Sequence, residues 1–251
     1  MRKLLTGAQV LLLLLFLCCA VYLGRYVYDL HHANSGYEEL RKTVREKVDA
    51  SGAYEEHYED TTIDRAAVLA GINSDYIGWI TIPDTAVDYP VVRTDDNEFY
   101  LKRDFYKNKS ASGTPFADYN CTDESLNTII YAHNMKDGSM FATLTRYTTK
   151  SFFNAHRRIV YDGEYEVFAV FRTNVGSNDE FPYPDYADLT DEDMYYEYVD
   201  SVLDRALWTS GDVPEYGDRL LTLSTCAYNT ENERVVVVGY AKAHPPTQQG
   251  V

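Results

Sequence analysis

The stretch LLTLSTCAYN, residues 220–229, ends an apolar run on Cys226. Four uses are open to such a thiol: a small core side chain, half of a disulfide, a metal ligand or a nucleophile. Strand alternation counts against the first, although a free cysteine is usually buried and inert. Leu221 and Leu223 fall on one face, and Thr222, Ser224 and Cys226 on the other, so the thiol points with hydroxyls rather than with leucines. A Val-rich run then opens on Arg234, after the loop AYNTENE. Paired as a hairpin, the two runs would set Arg234 at the same end as Cys226. A guanidinium there lowers a thiol's pKa and can hold a developing oxyanion. The plainer reading is a strand-edge arginine paired with Glu231 or Glu233. A cysteine nucleophile also needs a base. Of six histidines, His31 and His32 flank the apolar N-terminal run, His57 lies in an acidic stretch, His156 opens a basic strand start and His244 sits in a Pro-rich tail. His133 instead closes the apolar run NTIIYA and opens the loop NMKDG. Strand ends beside loops are where active-site groups gather, although a surface or backbone-held histidine fits the same pattern.

Other chemistries have less support. No CxxC or HxxxH spacing suggests zinc, and no Asp/Glu cluster suggests calcium, so no metal or cofactor is required. Cys121, in DYNCTDES, reads as a polar-loop cysteine that could pair with Cys226. Cys18 and Cys19 lie side by side in the apolar run.

Strands must carry these groups. IGWITI (77–82), AVDYPVV (86–92), NTIIYAH (127–133), RRIVYD (157–162), EYEVFAVFRT (164–173), RLLTLST (219–225) and ERVVVVGYA (233–241) read as strands. Asp162-Gly163 between two of them predicts a tight hairpin. One long helix interrupts the series. Thr190 is its expected cap, with Asp193 three residues on, and Tyr195, Tyr198, Val199, Val202, Leu203 and Ala206 form its apolar face. Upstream, Tyr37, Leu40, Val44 and Val48 give 25–50 a helical period. Residues 49–62 read as an acidic linker, and about 63–69 as a short helix. The expected fold is mainly β, a barrel with helices at its start and before the penultimate strand.

Leu4–Leu23 carries no charge, and about 30 Å of helix would cross a bilayer core. Arg2 and Lys3 precede it, which places the N-terminus in the cytoplasm and the rest outside. A cleaved signal peptide is the second reading, but the run is long for one and lacks a clear cleavage site. Residues 26–251 hold 20 basic and 39 acidic side chains, a formal charge of −19. Such a domain repels phosphate backbones and anionic lipid heads, which argues against nucleic-acid partners.

TLSTC (222–226), Arg234 opening the next strand and YAHNMKDGSMF (131–141) together resemble the sortases, class B most closely. IGWITIPDTAVDYPVV (77–92), DDNEFYL (95–101) and the long helix before the cysteine strand are similar too. The resemblance spans residues 73–243, as a closed barrel of about eight strands, preceded by a cytoplasmic end (1–3), an anchor (4–23) and a helical stalk or linker (24–72), and followed by a tail (244–251). The Cys-to-Arg loop is at the short end for that family. The resemblance implies a membrane-anchored cysteine transpeptidase of Gram-positive-type bacteria. Cys226 would attack the carbonyl after the threonine of a C-terminal sorting motif, His133 would move the amine proton, and Arg234 would steady the oxyanion. It implies Asn97, Leu101, Ser224 and Thr225 as substrate contacts, although Thr225 could instead support its strand, and the loop 176–190 as one lip of the groove. Implied partners are secreted proteins bearing NPxTN-like or PPxTG-like motifs and an amine of the cell-wall precursor or of a pilin. A papain-like protease would place Cys before His, the reverse of the order here; a catalytically silent adhesion or scaffold domain is the remaining alternative.

Overall fold

The computed structural model describes residues 7–50, 60–177, 180–226 and 232–243; at 26–35, 47–50, 60–64 and 226 it describes the backbone alone. Arg2, Lys3, His57, Glu231, His244, the tail and most of the acidic linker lie outside these residues. So do Asn178 and Asp179 of the proposed lip and Ala227–Glu231 of the loop after Cys226.

The helix α1 (Gly7–Ala50) joins two segments of different character. Gly7–Arg25 is long and apolar enough to cross a membrane, and none of it is buried against the protein. Farther along, Tyr37, Leu40 and Val44 recur at the helical period and are buried in the main core. Arg41 anchors the same turn, with Nε 2.9 Å from the Asp88 carboxylate and Nη2 2.6 Å from the Asp88 carbonyl. Helix α2 spans Asp60–Ile72, so it begins inside the stretch expected to be linker and runs past the expected end at residue 69.

The strands are β1 (Tyr76–Thr81), β2 (Asp88–Val92), β3 (Phe116–Ala117), β4 (Asn127–Tyr131), β5 (Arg158–Val160), β6 (Glu164–Asn174), β7 (Trp208–Thr209), β8 (Arg219–Cys226) and β9 (Glu233–Ala241). Their order is β5-β1-β2-β3-β4-β8-β9-β6, and β6 pairs back onto β5, closing an eight-stranded barrel; β7 adds to β6 outside the ring. The two-residue strands β3 and β7 are too short to show a period, which is why the sequence does not announce them. Asp162 (φ 43°) and Gly163 (φ 123°) turn β5 into β6, the paired left-handed conformations that an Asp-Gly hairpin supplies.

Two apolar clusters divide the strands by parity. Leu221, Leu223, Val235 and Val237 face the barrel interior. Leu220, Val236 and Val238 face outward, beneath α4 (Glu192–Arg205) and the 3₁₀ turn Tyr183–Tyr186. Covering both faces explains the unbroken VVVV of β9, because no position from Val235 to Val238 meets water. Tyrosines suit this second layer. Tyr198 and Tyr195 are fully buried, yet Tyr198 Oη lies 2.6 Å from Thr222 Oγ1, and Tyr195 donates to the Asp218 carbonyl at 3.1 Å. Thr222 in turn donates to Asn127 Oδ1 at 2.9 Å.

The N-cap of α4 is Asp191, one residue after the expected Thr190. Its carboxylate accepts from the Met194 N–H at 3.1 Å, while the Thr190 carbonyl accepts from Tyr216. Asp191→Ala should lower the unfolding free energy by about 1 kcal/mol, and Asp191→Asn should leave it nearly unchanged, as read by urea unfolding.

Candidate active site

Three neighbouring strands bring the candidate groups to one end of the barrel. β8 and β9 are antiparallel with Cys226 directly opposite Arg234. Directly opposed residues of such a pair share a face of the sheet. β4 and β8 are parallel, with Tyr131 opposite Ser224. Two residues beyond that pair lie His133 on one chain segment and Cys226 on the other. Their parity is that of Ile129, Thr222, Val236 and Val238, the outward face.

Backbone and hydroxyl contacts hold β4 and β8 together up to this point. The Ala132 N–H donates to the Ser224 carbonyl at 3.3 Å. Thr225 Oγ1 donates to the Ala132 carbonyl at 2.8 Å. Thr225 is 2% exposed, so its hydroxyl joins the two strands immediately before His133 and Cys226.

His133 is half-buried, and its Nε2 lies 2.7 Å from the carbonyl oxygen of Leu101. A carbonyl only accepts, so Nε2 carries a proton. In the neutral ring this leaves the lone pair on Nδ1, and Nδ1 is then the atom that exchanges protons. Leu101 is available because it sits in the 3₁₀ turn Phe99–Lys102, whose end leaves carbonyls unpaired within the turn. The resemblance implies Leu101 as a groove position; the structure adds a backbone contact, for which no side-chain pattern is diagnostic.

Arg234 donates to the Glu233 carbonyl at 3.3 Å and, among the described residues, forms no salt bridge. The Glu233 carboxylate is turned to Arg172 instead, at 3.2 Å. The plain pairing of Arg234 with Glu233 is therefore absent.

The other polar candidates are occupied by the fold. Ser224 is 1% exposed, and its Oγ lies 2.7 Å from Tyr183 Oη. The hydroxyl face of β8 is thus roofed rather than open, since Thr222 and Ser224 meet Tyr198 and Tyr183. Asn97 donates to Asp118 Oδ2 at 2.9 Å and accepts from the Tyr119 N–H at 3.1 Å. Tyr131 also donates to Asp118 Oδ2, at 2.8 Å, and burial pushes its phenol far above the ordinary range, so it remains a donor. Asp118 and Tyr131 escaped the sequence reading because neither stands in a distinctive spacing. In the 176–190 loop, Phe181, Tyr183, Tyr186, Ala187 and Leu189 are buried, so this part is a packed cover rather than a solvated connection.

Cys121 is a buried free thiol, not a loop partner for Cys226. It accepts from the Ile129 N–H at 3.4 Å and lies 3.6 Å from the Asn127 carbonyl. Burial pushes its pKa up to about 11. The polar letters around it hid an inward-facing side chain. His156 is structural as well: it stacks on Phe152 at 3.9 Å, and its Nδ1 lies 3.1 Å from the Phe152 carbonyl.

A family model described as a sortase domain matches residues 80–242. The chain is 37% identical over 207 residues to Sortase B of Listeria monocytogenes, covering 76% of this chain and 81% of that protein. It is 28% identical over 249 residues to Sortase B of Staphylococcus aureus, covering 95% and 96%. The solved Staphylococcus aureus sortase B–substrate complex aligns with a TM-score of 0.68 at 27% identity, over 82% of this chain and 94% of that one.

Two measurements check the local picture. Thr225→Val leaves the Ala132 carbonyl without its partner and should destabilise the protein by about 1–3 kcal/mol in urea unfolding. Iodoacetamide at mildly alkaline pH should leave Cys121 unmodified in the folded protein and label it after unfolding, as read by peptide mapping.

Proposed function

The chain belongs to the sortase family of cysteine transpeptidases, and on that premise we propose that Cys226 is its nucleophile, His133 its general acid–base and Arg234 its oxyanion partner. One observation carries the assignment: Cys226 faces Arg234 in register on β9, and His133 follows the parallel pairing on the other side of β8.

The Cys226 thiol passes its proton to Nδ1 of His133 as Sγ attacks the carbonyl carbon of the motif's threonine, and the oxygen takes up the negative charge beside Arg234. The C–N bond then breaks, and Nδ1 of His133 gives its proton to the departing amine, leaving a thioester. An incoming amine attacks the same carbon and passes a proton to Nδ1, and the C–S bond breaks as the new amide forms. Throughout, the Leu101 carbonyl holds Nε2–H, so the ring exchanges protons at one nitrogen.

The span Gly7–Arg25, behind Arg2 and Lys3, supports a single-pass anchor with its N-terminus in the cytoplasm and the barrel outside. The donors are then secreted proteins with a C-terminal sorting motif, NPxTN-like or PPxTG-like, and the acceptor is an amine of the peptidoglycan precursor. Residues 73–243 form the catalytic domain. The Leu101 side chain lines the motif groove, while Asn97, Ser224 and Thr225 hold its frame, because their polar groups are engaged within the protein.

Fluorogenic peptides carrying each motif, with a peptidoglycan-type amine, a pilin-type amine or no acceptor, test this reading. Motif-dependent cleavage is expected, with amide product formed from the peptidoglycan-type amine. Cys226→Ala should abolish cleavage. Arg234→Ala should lower kcat by about 10²–10³-fold, with partial recovery in Arg234→Lys. Cleavage retained by Cys226→Ala would refute the assignment, and product from the pilin-type amine alone would move the enzyme to pilus assembly.

A further inference from the structure

We propose that Tyr37, on the helix that continues from the apolar span, is a positioning residue for His133 and sets which imidazole nitrogen exchanges protons. This rests on the role of His133 proposed above. The link runs through backbone. Tyr37 is buried, and its Oη donates to the Gly113 carbonyl at 2.8 Å and lies 3.0 Å from Thr114 Oγ1. Burial raises the pKa of its phenol, so the donor stays protonated.

The segment 110–114 that Tyr37 holds is laid directly on the turn carrying Leu101. The Ser110 N–H donates to the Lys102 carbonyl at 2.9 Å, and the Thr114 N–H to the Tyr100 carbonyl at 3.0 Å. Thr114 Oγ1 donates to the Arg103 carbonyl at 2.9 Å. The carbonyls of Tyr100, Lys102 and Arg103 are thus taken by this segment, and that of Leu101 is left for His133. Gly113 makes the approach possible. Its φ is +63°, and a Cβ there would stand 2.5 Å from the Tyr100 carbonyl oxygen and 3.0 Å from that of Leu101.

From Tyr37 to His133, each step is therefore a hydrogen bond or a backbone contact with no room for a methyl group. If Tyr37 stops holding Gly113, the Leu101 carbonyl loses its backing, and Nε2 loses the acceptor that fixes its proton. The helix leaving the membrane is in this way joined to the atom that performs proton transfer.

The test uses the full-length protein in detergent micelles with ¹⁵N-labelled histidine, the His133 signals being assigned by loss in His133→Gln. Wild type should show a protonated Nε2 and an unprotonated Nδ1 in the neutral ring. Tyr37→Phe removes one oxygen and should move both signals toward tautomer averaging. Thioester formation should slow about three- to tenfold with KM for the peptide unchanged, the effect expected of one lost hydrogen bond. Gly113→Ala should show a larger change of the same kind. Arg41→Met loosens the same helix at Asp88 without touching the Leu101 turn, and it should leave the His133 signals in place. Unchanged signals in Tyr37→Phe, or an equal shift in Arg41→Met, would overturn the proposal. Should His133→Gln retain full transpeptidation, the catalytic assignment fails by itself, while the spectra still decide whether Tyr37 positions the ring.

Discussion

β8 is paired on both sides, parallel to β4 and antiparallel to β9, and this constraint underlies the whole arrangement. An antiparallel neighbour needs only a short loop, which is why Cys226 and Arg234 are close in sequence. A parallel neighbour needs a crossover. Between β4 and β8 the chain builds β5, β6, α4 and β7, so His133 precedes Cys226 by 93 residues. The short bond from Thr225 to Ala132 fixes the two strand ends together where the parallel pairing stops.

Covering the outer face of the barrel engages the hydroxyls that lead up to the candidate site. Had β8 been open to water on that side, Thr222 and Ser224 would be free hydroxyls. Instead α4 and the 181–189 segment seal them beneath Tyr198 and Tyr183. Tyrosine suits this role because each ring buries apolar area while its hydroxyl satisfies a polar group that would otherwise be costly to bury. The same logic holds on the other side of β4, where the Tyr131 hydroxyl, the Asn97 amide and the Asn120 N–H converge on the buried Asp118 carboxylate.

In the proposed reading, the two cysteines of the domain serve two uses set by their surroundings. Cys121 is enclosed by apolar groups, and its raised pKa keeps it a neutral, inert thiol. Cys226 ends a strand opposite an arginine whose charge, among the described residues, no carboxylate neutralises. In the proposed reading, that arginine steadies the oxyanion formed when Cys226 attacks a carbonyl.

Much of this was written in the sequence. Seven strand runs, the Asp-Gly hairpin, the apolar face of α4, the membrane-length segment and the placing of His133, Cys226 and Arg234 at strand ends follow from local period and composition. Those signals are local, because a side chain's face is fixed by its neighbours two or four residues away. Other features depended on contacts across the fold. Phe116–Ala117 becomes a strand only because β2 and β4 flank it. Cys121 looked solvent-exposed beside Asn120 and Thr122, yet its side chain turns onto Ile129. The resemblance implies Ser224, Thr225 and Asn97 as substrate contacts, with strand support as the other reading of Thr225; the partners that the polar groups of all three have within the fold are distant in sequence. The backbone of Leu101, which fixes the His133 tautomer, leaves no trace in residue types at all, since every residue carries a carbonyl and only the folded chain decides where it points.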